Sequence, residues 1–163
     1  MGWLVATRVR EMLACYPQLP CPVDIERLAA DQGCEVIEWP FLGPVTEVKQ
    51  GKWIGVAPEL SVPERRFLIA HALGHDLLHC GNQLAFRRWR ELEQRRQERE
   101  ADEFAARVLM PDHELTILVG SPVWEIAESF VVPQDLVVRR FTEFATDEER
   151  CCWERAYYDR YRD

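Results

Sequence analysis

Two histidines four residues apart stand in the run Arg66-Phe67-Leu68-Ile69-Ala70-His71-Ala72-Leu73-Gly74-His75-Asp76-Leu77-Leu78-His79. On a helix such a pair shares one face, one turn apart, so the imidazoles of His71 and His75 can converge on a single metal ion. A catalytic zinc ion, Zn2+, takes three protein ligands and leaves the fourth position to water, so a further ligand must arrive from another element. Glu98 is the preferred candidate, with Glu100 and Glu103 as rivals on the same helix. Asp102, four residues after Glu98, is placed to hold a ligating histidine through its free ring nitrogen.

The usual form of this motif is His-Glu-x-x-His, in which the glutamate takes a proton from the attacking water and passes it to the leaving amine. Here the second position is Ala72, which accepts no proton. General acid/base groups are worth ~10² to 10⁴ in rate, so the chain is expected to bind metal and to cleave little or not at all. Three neighbours admit two readings each. His79 either extends the metal face or stands behind it as a packing histidine, and the second is preferred. Cys80 is either a thiolate that blocks the open position or a small buried hydrophobe, and again the second is preferred. His113 reads as an exposed loop residue rather than an oxyanion partner.

Local signals indicate the elements that position these groups. Ser61 followed by Glu64 is a capping box, with Pro63 tolerated in the first turn, and it opens a helix that carries both histidines to about Cys80, before Gly81 and Asn82. A second long helix is expected from about Trp89 to Met110, closed by Pro111, with pairs such as Glu91–Arg95 and Arg96–Glu100 on its polar face and Phe104, Ala105, Val108 and Leu109 turned inward. An antiparallel return of that helix would bring Glu98 and Asp102 to the histidines. Upstream, Trp3 to Tyr16 places Leu4, Val5, Val9, Met12 and Leu13 at helical spacing, and Asp24 caps a short helix that Gly33 stops. Cys34 to Trp39 and Lys52 to Val56 read as strands separated by a segment containing Pro40, Gly43, Pro44 and Gly51. Pro122 to Phe144 reads as two short helices around Val132 and Pro133, and Glu148 to Tyr161 as a terminal helix.

With 163 residues, 47% hydrophobic and 29% charged, the chain suits one compact domain spanning 1–163. No apolar run approaches the roughly 20 residues of a membrane span and no secretory leader is legible, so a cytoplasmic protein with no membrane partner is expected. Six cysteines without paired spacing, two of them adjacent, are expected to be reduced thiols. The net charge of -8 excludes a surface that is wholly a nucleic-acid footprint. One dense basic patch remains, Phe86-Arg87-Arg88-Trp89-Arg90, where an aromatic among arginines suits single-stranded DNA as an activating ligand; the alternating glutamates that follow favour a solvated helix face.

The run Arg66 to His79 and the run Glu98-Arg99-Glu100-Ala101-Asp102-Glu103-Phe104-Ala105-Ala106-Arg107-Val108-Leu109-Met110-Pro111 resemble the two signature blocks of the ImmA/IrrE metallopeptidases. The likeness extends more weakly to Pro22–Gly33 and Val123–Phe141. It implies an α+β zincin-like domain in which a small sheet packs on helices and the two ligand-bearing helices lie at the centre. It further implies zinc held by His71, His75 and Glu98, a general base at the place Ala72 occupies, and a helix-turn-helix repressor of the Xre type as substrate in a stress, DNA-damage or mobile-element defence circuit. The substrate would lie extended beside the sheet edge near Lys52 to Val56. Alanine at this one place is also what a laboratory would install to hold such an enzyme inactive. The rival is a natural pseudo-peptidase that sequesters its repressor, and a further one is a structural zinc domain serving nucleic acid. Val123 to Phe141 has helix-turn-helix rhythm but lacks a basic second helix beyond Arg139 and Arg140, and reads as core or as a dock for the repressor.

Overall fold

The computed structural model of the chain describes residues 2–17, 19–42, 44–79 and 87–160, with side chains for all of these but 2, 3, 87–91 and 160. In chain order the elements are α1 (Gly2–Ala14), α2 (Ile25–Asp31), β1 (Glu35–Glu38), β2 (Glu47–Gln50), β3 (Trp53–Val56), α3 (Val62–Leu78), α4 (Arg87–Leu109), α5 (Asp112–Ile117), α6 (Val123–Phe130), α7 (Gln134–Thr142) and α8 (Asp147–Arg160). This is the mixed α+β architecture the sequence leads one to expect.

The punctuation residues act as their chemistry dictates. The Asp24 carboxylate accepts the Arg27 backbone N–H at 3.1 Å and starts α2, and Gly33, at φ +79°, takes the left-handed turn that follows it. At α3 the Ser61 hydroxyl accepts the Glu64 N–H while Glu64 accepts the Ser61 N–H at 3.0 Å, so both arms of the capping box are closed. Arg66, further along α3, donates to the carbonyls of Val23 at 2.8 Å and Val131 at 3.1 Å. It thereby ties the helix to the segment before α2 and to Val131, the residue that ends α6 at φ +53°.

The sheet corrects two expectations. Its order is β1-β3-β2, with β1 parallel and β2 antiparallel to β3. Residues 47–50 form a strand that the sequence hides, because Glu47, Val48, Lys49 and Gln50 offer no apolar alternation and lie among turn-forming residues. The strand at Trp53–Val56 is therefore central, flanked on both sides, and presents no edge to a substrate; on its antiparallel side the edge belongs to β2. A third departure is α5 directly after Pro111, which puts His113 on a short helix with its side chain 87% exposed. Leu4 also departs from expectation: it points outward at 60% exposure, while Val5 and Val9 are buried.

The core lies where the sheet, α3 and α4 meet. Ile54 and Val56 from β3, Ile69 and Leu73 from α3, and Phe104, Val108 and Leu109 from α4 are all fully buried. Behind it, the helices that follow α4 are fastened by charge. The buried guanidinium of Arg107 donates to Glu103 at 2.9 Å and to Glu149 at 2.6 Å, and the buried Arg140 donates to Glu149 at 2.7 Å and pairs with Asp112. Burial alone would raise the Glu149 carboxyl, but the hydrogen bond and charge of Arg140, with those of Arg107, hold it well below the usual carboxylate range. A Glu149→Gln variant strips the shared anion from two desolvated cations. Urea denaturation of it is expected to show a loss of about 3–5 kcal/mol, and a change under about 1 kcal/mol would show that the network is not needed.

Candidate metal centre

α3 and α4 run side by side because one position is empty of side chain. A Cβ on Gly74 would stand 3.1 Å from the Ala101 Cα and 3.1 Å from Phe104 Cδ1, closer than ordinary contact. Glycine in mid-helix is unfavourable by ~1 kcal/mol, a cost consistent with a need for close approach. The approach places Glu98 of α4 opposite the two histidines of α3.

Three side chains converge there. His75 Nε2 lies 3.1 Å from His71 Nε2, and the two carboxylate oxygens of Glu98 lie 3.4 Å from His71 Nε2 and 3.5 Å from His75 Nε2. Ligands bound tetrahedrally at about 2.0–2.1 Å stand roughly 3.3–3.4 Å apart, so these separations, which involve both oxygens of the carboxylate, are on the scale of a zinc site. Among the described residues, His71, His75 and Glu98 form the acidic and imidazole cluster with all ligand atoms within 4.8 Å of one another. The other glutamates are engaged elsewhere: Glu100 with Arg96 at 2.8 Å, and Glu103 with Arg107.

Asp102 stands behind the cluster. Its Oδ1 lies 2.9 Å from His71 Nδ1, a contact that puts a proton on Nδ1 and frees the Nε2 lone pair, and its Oδ2 accepts from Arg139 at 2.8 Å. Burial would raise the Asp102 carboxyl, but the hydrogen bonds from His71 and Arg139 outweigh it and the group is lowered. Burial would lower His71, yet the Asp102 bond and the charges of Glu47, Asp102 and Glu98 leave it raised; His75 is lowered by burial and by its charged neighbour His71. His79 sits to one side, its Nε2 3.3 Å from the Gln97 carbonyl. Ala72 is fully buried. Cys80 and the side chains of Arg87, Arg88, Trp89 and Arg90 lie outside the described residues. Two groups near the cluster went unassigned in the sequence: Arg139, noted only as one of two basic residues in the segment with helix-turn-helix rhythm, and Glu47, hidden in the strand that carried no signal.

A family model described as a peptidase, the IrrE N-terminal-like domain, matches residues 29–142. The chain belongs to this family. The match contains both signature blocks. Among solved structures, a Mycobacterium tuberculosis transcriptional regulator superposes with a TM-score of 0.68 at 17% identity, covering 92% of this chain and 50% of that one. At that identity the likeness shows a shared fold, and the chain spans half the length of that regulator. No curated protein matches. No helix among the described residues is long and apolar enough to cross a membrane.

Two consequences are measurable. Metal binding needs both imidazoles neutral, and the raised His71 keeps its proton to higher pH than a free imidazole, so protons compete with the metal as pH falls. Zinc affinity measured by chelator competition is expected to fall by about tenfold or more from about pH 8 to about pH 6, and Asp102→Ala to cost roughly 10- to 100-fold at fixed pH. Gly74→Leu, which forces the helices apart, is expected to cost about 1–3 kcal/mol of stability and at least roughly tenfold in zinc affinity; unchanged affinity would separate the seam from the site.

Proposed function

We propose that the chain is a zinc-dependent regulatory metallopeptidase that acts on a helix-turn-helix repressor of the Xre type, with His71, His75 and Glu98 as the protein ligands. The observation that carries this is the convergence of two imidazole nitrogens and one carboxylate at separations of 3.1–3.5 Å, with Asp102 fixing the tautomer of His71. A bound zinc ion would supply the Lewis acidity that polarises a peptide carbonyl. The chain itself holds the ligands on two packed helices and orients His71 through Asp102 and Arg139. An extended substrate segment would run along the outer edge of β2, which no strand among the described residues covers.

Ala72 means that α3 contributes ligands and no proton acceptor. Hydrolysis is therefore expected to be feeble unless another element brings a carboxylate, and the pseudo-peptidase reading, capture of the repressor without cleavage, uses the same site.

The first test is elemental analysis of the purified chain beside Glu98→Ala. About one zinc per chain, lost or strongly weakened in the variant, is the expected result; no bound metal after zinc is supplied would remove the peptidase reading. Incubating the zinc-loaded chain with an Xre-type repressor encoded beside it then tests the partner, since the reading requires zinc-dependent binding or cleavage of that repressor.

A further inference from the structure

β2 brings to the metal cluster an acidic side chain that neither signature block contains. The pleat of the strand puts Glu47 and Lys49 on one face and Val48 and Gln50 on the other, and the first pair is the half-buried one. Lys49 shows what that face looks at: its Nζ lies 2.8 Å from Asp76 Oδ1 on α3. Asp76 follows Ala72 by one helical turn on the same side of α3. One pleat repeat along the strand spans ~6.6–6.8 Å and one helical turn ~5.4 Å, so a step from Lys49 back to Glu47 corresponds to a step from Asp76 back to Ala72. The sheet fixes the direction of the step: Cys34, just before β1, lies 3.8 Å from Asp76 while Glu38 at its far end pairs with Arg65 earlier on α3, so β1 runs against α3 and β2, antiparallel to β1, runs with it.

Glu47 therefore lies over the turn of α3 that begins at Ala72. It stands outside the group whose ligand atoms are within 4.8 Å of one another, so it is beside the ligands and not one of them. Among the described residues its carboxylate has no hydrogen bond or ion pair to hold it. Position 72 is where the His-Glu-x-x-His pattern carries its proton-accepting carboxylate. The fully buried methyl of Ala72 offers none.

We propose that Glu47 supplies from strand β2 the proton-accepting carboxylate that helix α3 lacks, so that the base has moved from the helix to the strand facing it. In hydrolysis the water oxygen bonds to the peptide carbon while its proton passes to Glu47. The C–N bond then breaks as Glu47 returns that proton to the leaving nitrogen, and the carboxylate is regenerated with one water consumed. The proposal rests on the zinc-peptidase reading above.

The test needs no knowledge of the repressor. Acetohydroxamic acid sheds its hydroxyl proton when it chelates a metal through two oxygens, and a neighbouring carboxylate is the natural acceptor of that proton. Titration calorimetry of the zinc-loaded full-length chain with acetohydroxamic acid therefore reads the acceptor directly. Glu47→Gln is expected to keep one zinc per chain and to bind the hydroxamate roughly tenfold or more weakly, the scale of one charge-assisted hydrogen bond. Returning the carboxylate to the helix in the double variant Glu47→Gln, Ala72→Glu is expected to restore binding. Equal hydroxamate affinity in parent and Glu47→Gln overturns the proposal, as does loss of zinc from Glu47→Gln, which would make Glu47 a ligand. Should Glu47→Gln fail to fold by circular dichroism, Glu47→Asp withdraws the carboxylate by one methylene and must still weaken hydroxamate binding, or the proposal falls. A parent that binds no zinc at all would instead overturn the peptidase reading.

Discussion

The closeness of α3 to α4 at Gly74 and Ala101 is the constraint on which the rest depends. Helices usually pack with their axes ~8–10 Å apart, a distance set by the side chains at the contact. Here the contact is built from a glycine on one helix and an alanine backbone on the other. The seam is also in register with the chemistry. Gly74 stands three residues after His71 and one before His75, and Ala101 stands three after Glu98 and one before Asp102, so both helices carry the same short-residue step between two functional side chains. Close approach at the small residues brings the long ones to a common point. A larger side chain at either seam position would displace the ligands even though it touched none of them.

A second consequence of that arrangement is that α7 comes up to the site, where Arg139 lines one cavity with Glu98 and Asp102. α7 presents two successive arginines: Arg139 reaches Asp102, and through it His71, while Arg140 is buried against Glu149 of α8 and Asp112 of α5. Two buried guanidiniums with shared anions add little net stability compared with an apolar core, but they are costly to separate and they fix orientation. The orientation of the Asp102 carboxylate thus depends on a helix whose own placement depends on Glu149. The segment Val123 to Phe141 turns Ile126, Ala127, Phe130, Leu136 and Val137 into the core and leaves Trp124 and Val138 exposed.

Much of this was legible in the residues. The capping box at Ser61, the Gly33 stop and the inward face at Phe104, Ala105, Val108 and Leu109 are local rules whose cause lies within one or two turns, and they hold. The gathering of His71, His75 and Glu98 was legible because helical periodicity aligns each pair and one return of the chain joins them. β2 was not legible, since four residues reading Glu-Val-Lys-Gln have neither β-branched density nor apolar alternation, and only pairing with β3 makes them a strand. The misplacement of the sheet edge followed directly from that omission. Partners far apart in sequence, such as Lys49 with Asp76 and Asp102 with Arg139, leave no periodic trace at all.

The polarity that hid β2 is itself informative. A strand face laid against a helix normally carries apolar side chains, and placing two charged ones there costs free energy unless each finds a partner. Lys49 has one in Asp76. Glu47 has none among the described residues, and burial together with the nearby Glu98 raises its carboxyl, opposed only by His71. His71 is the one neighbour that favours its ionised form. A divalent cation held by His71, His75 and Glu98 would add positive charge near the same carboxylate and favour that form further.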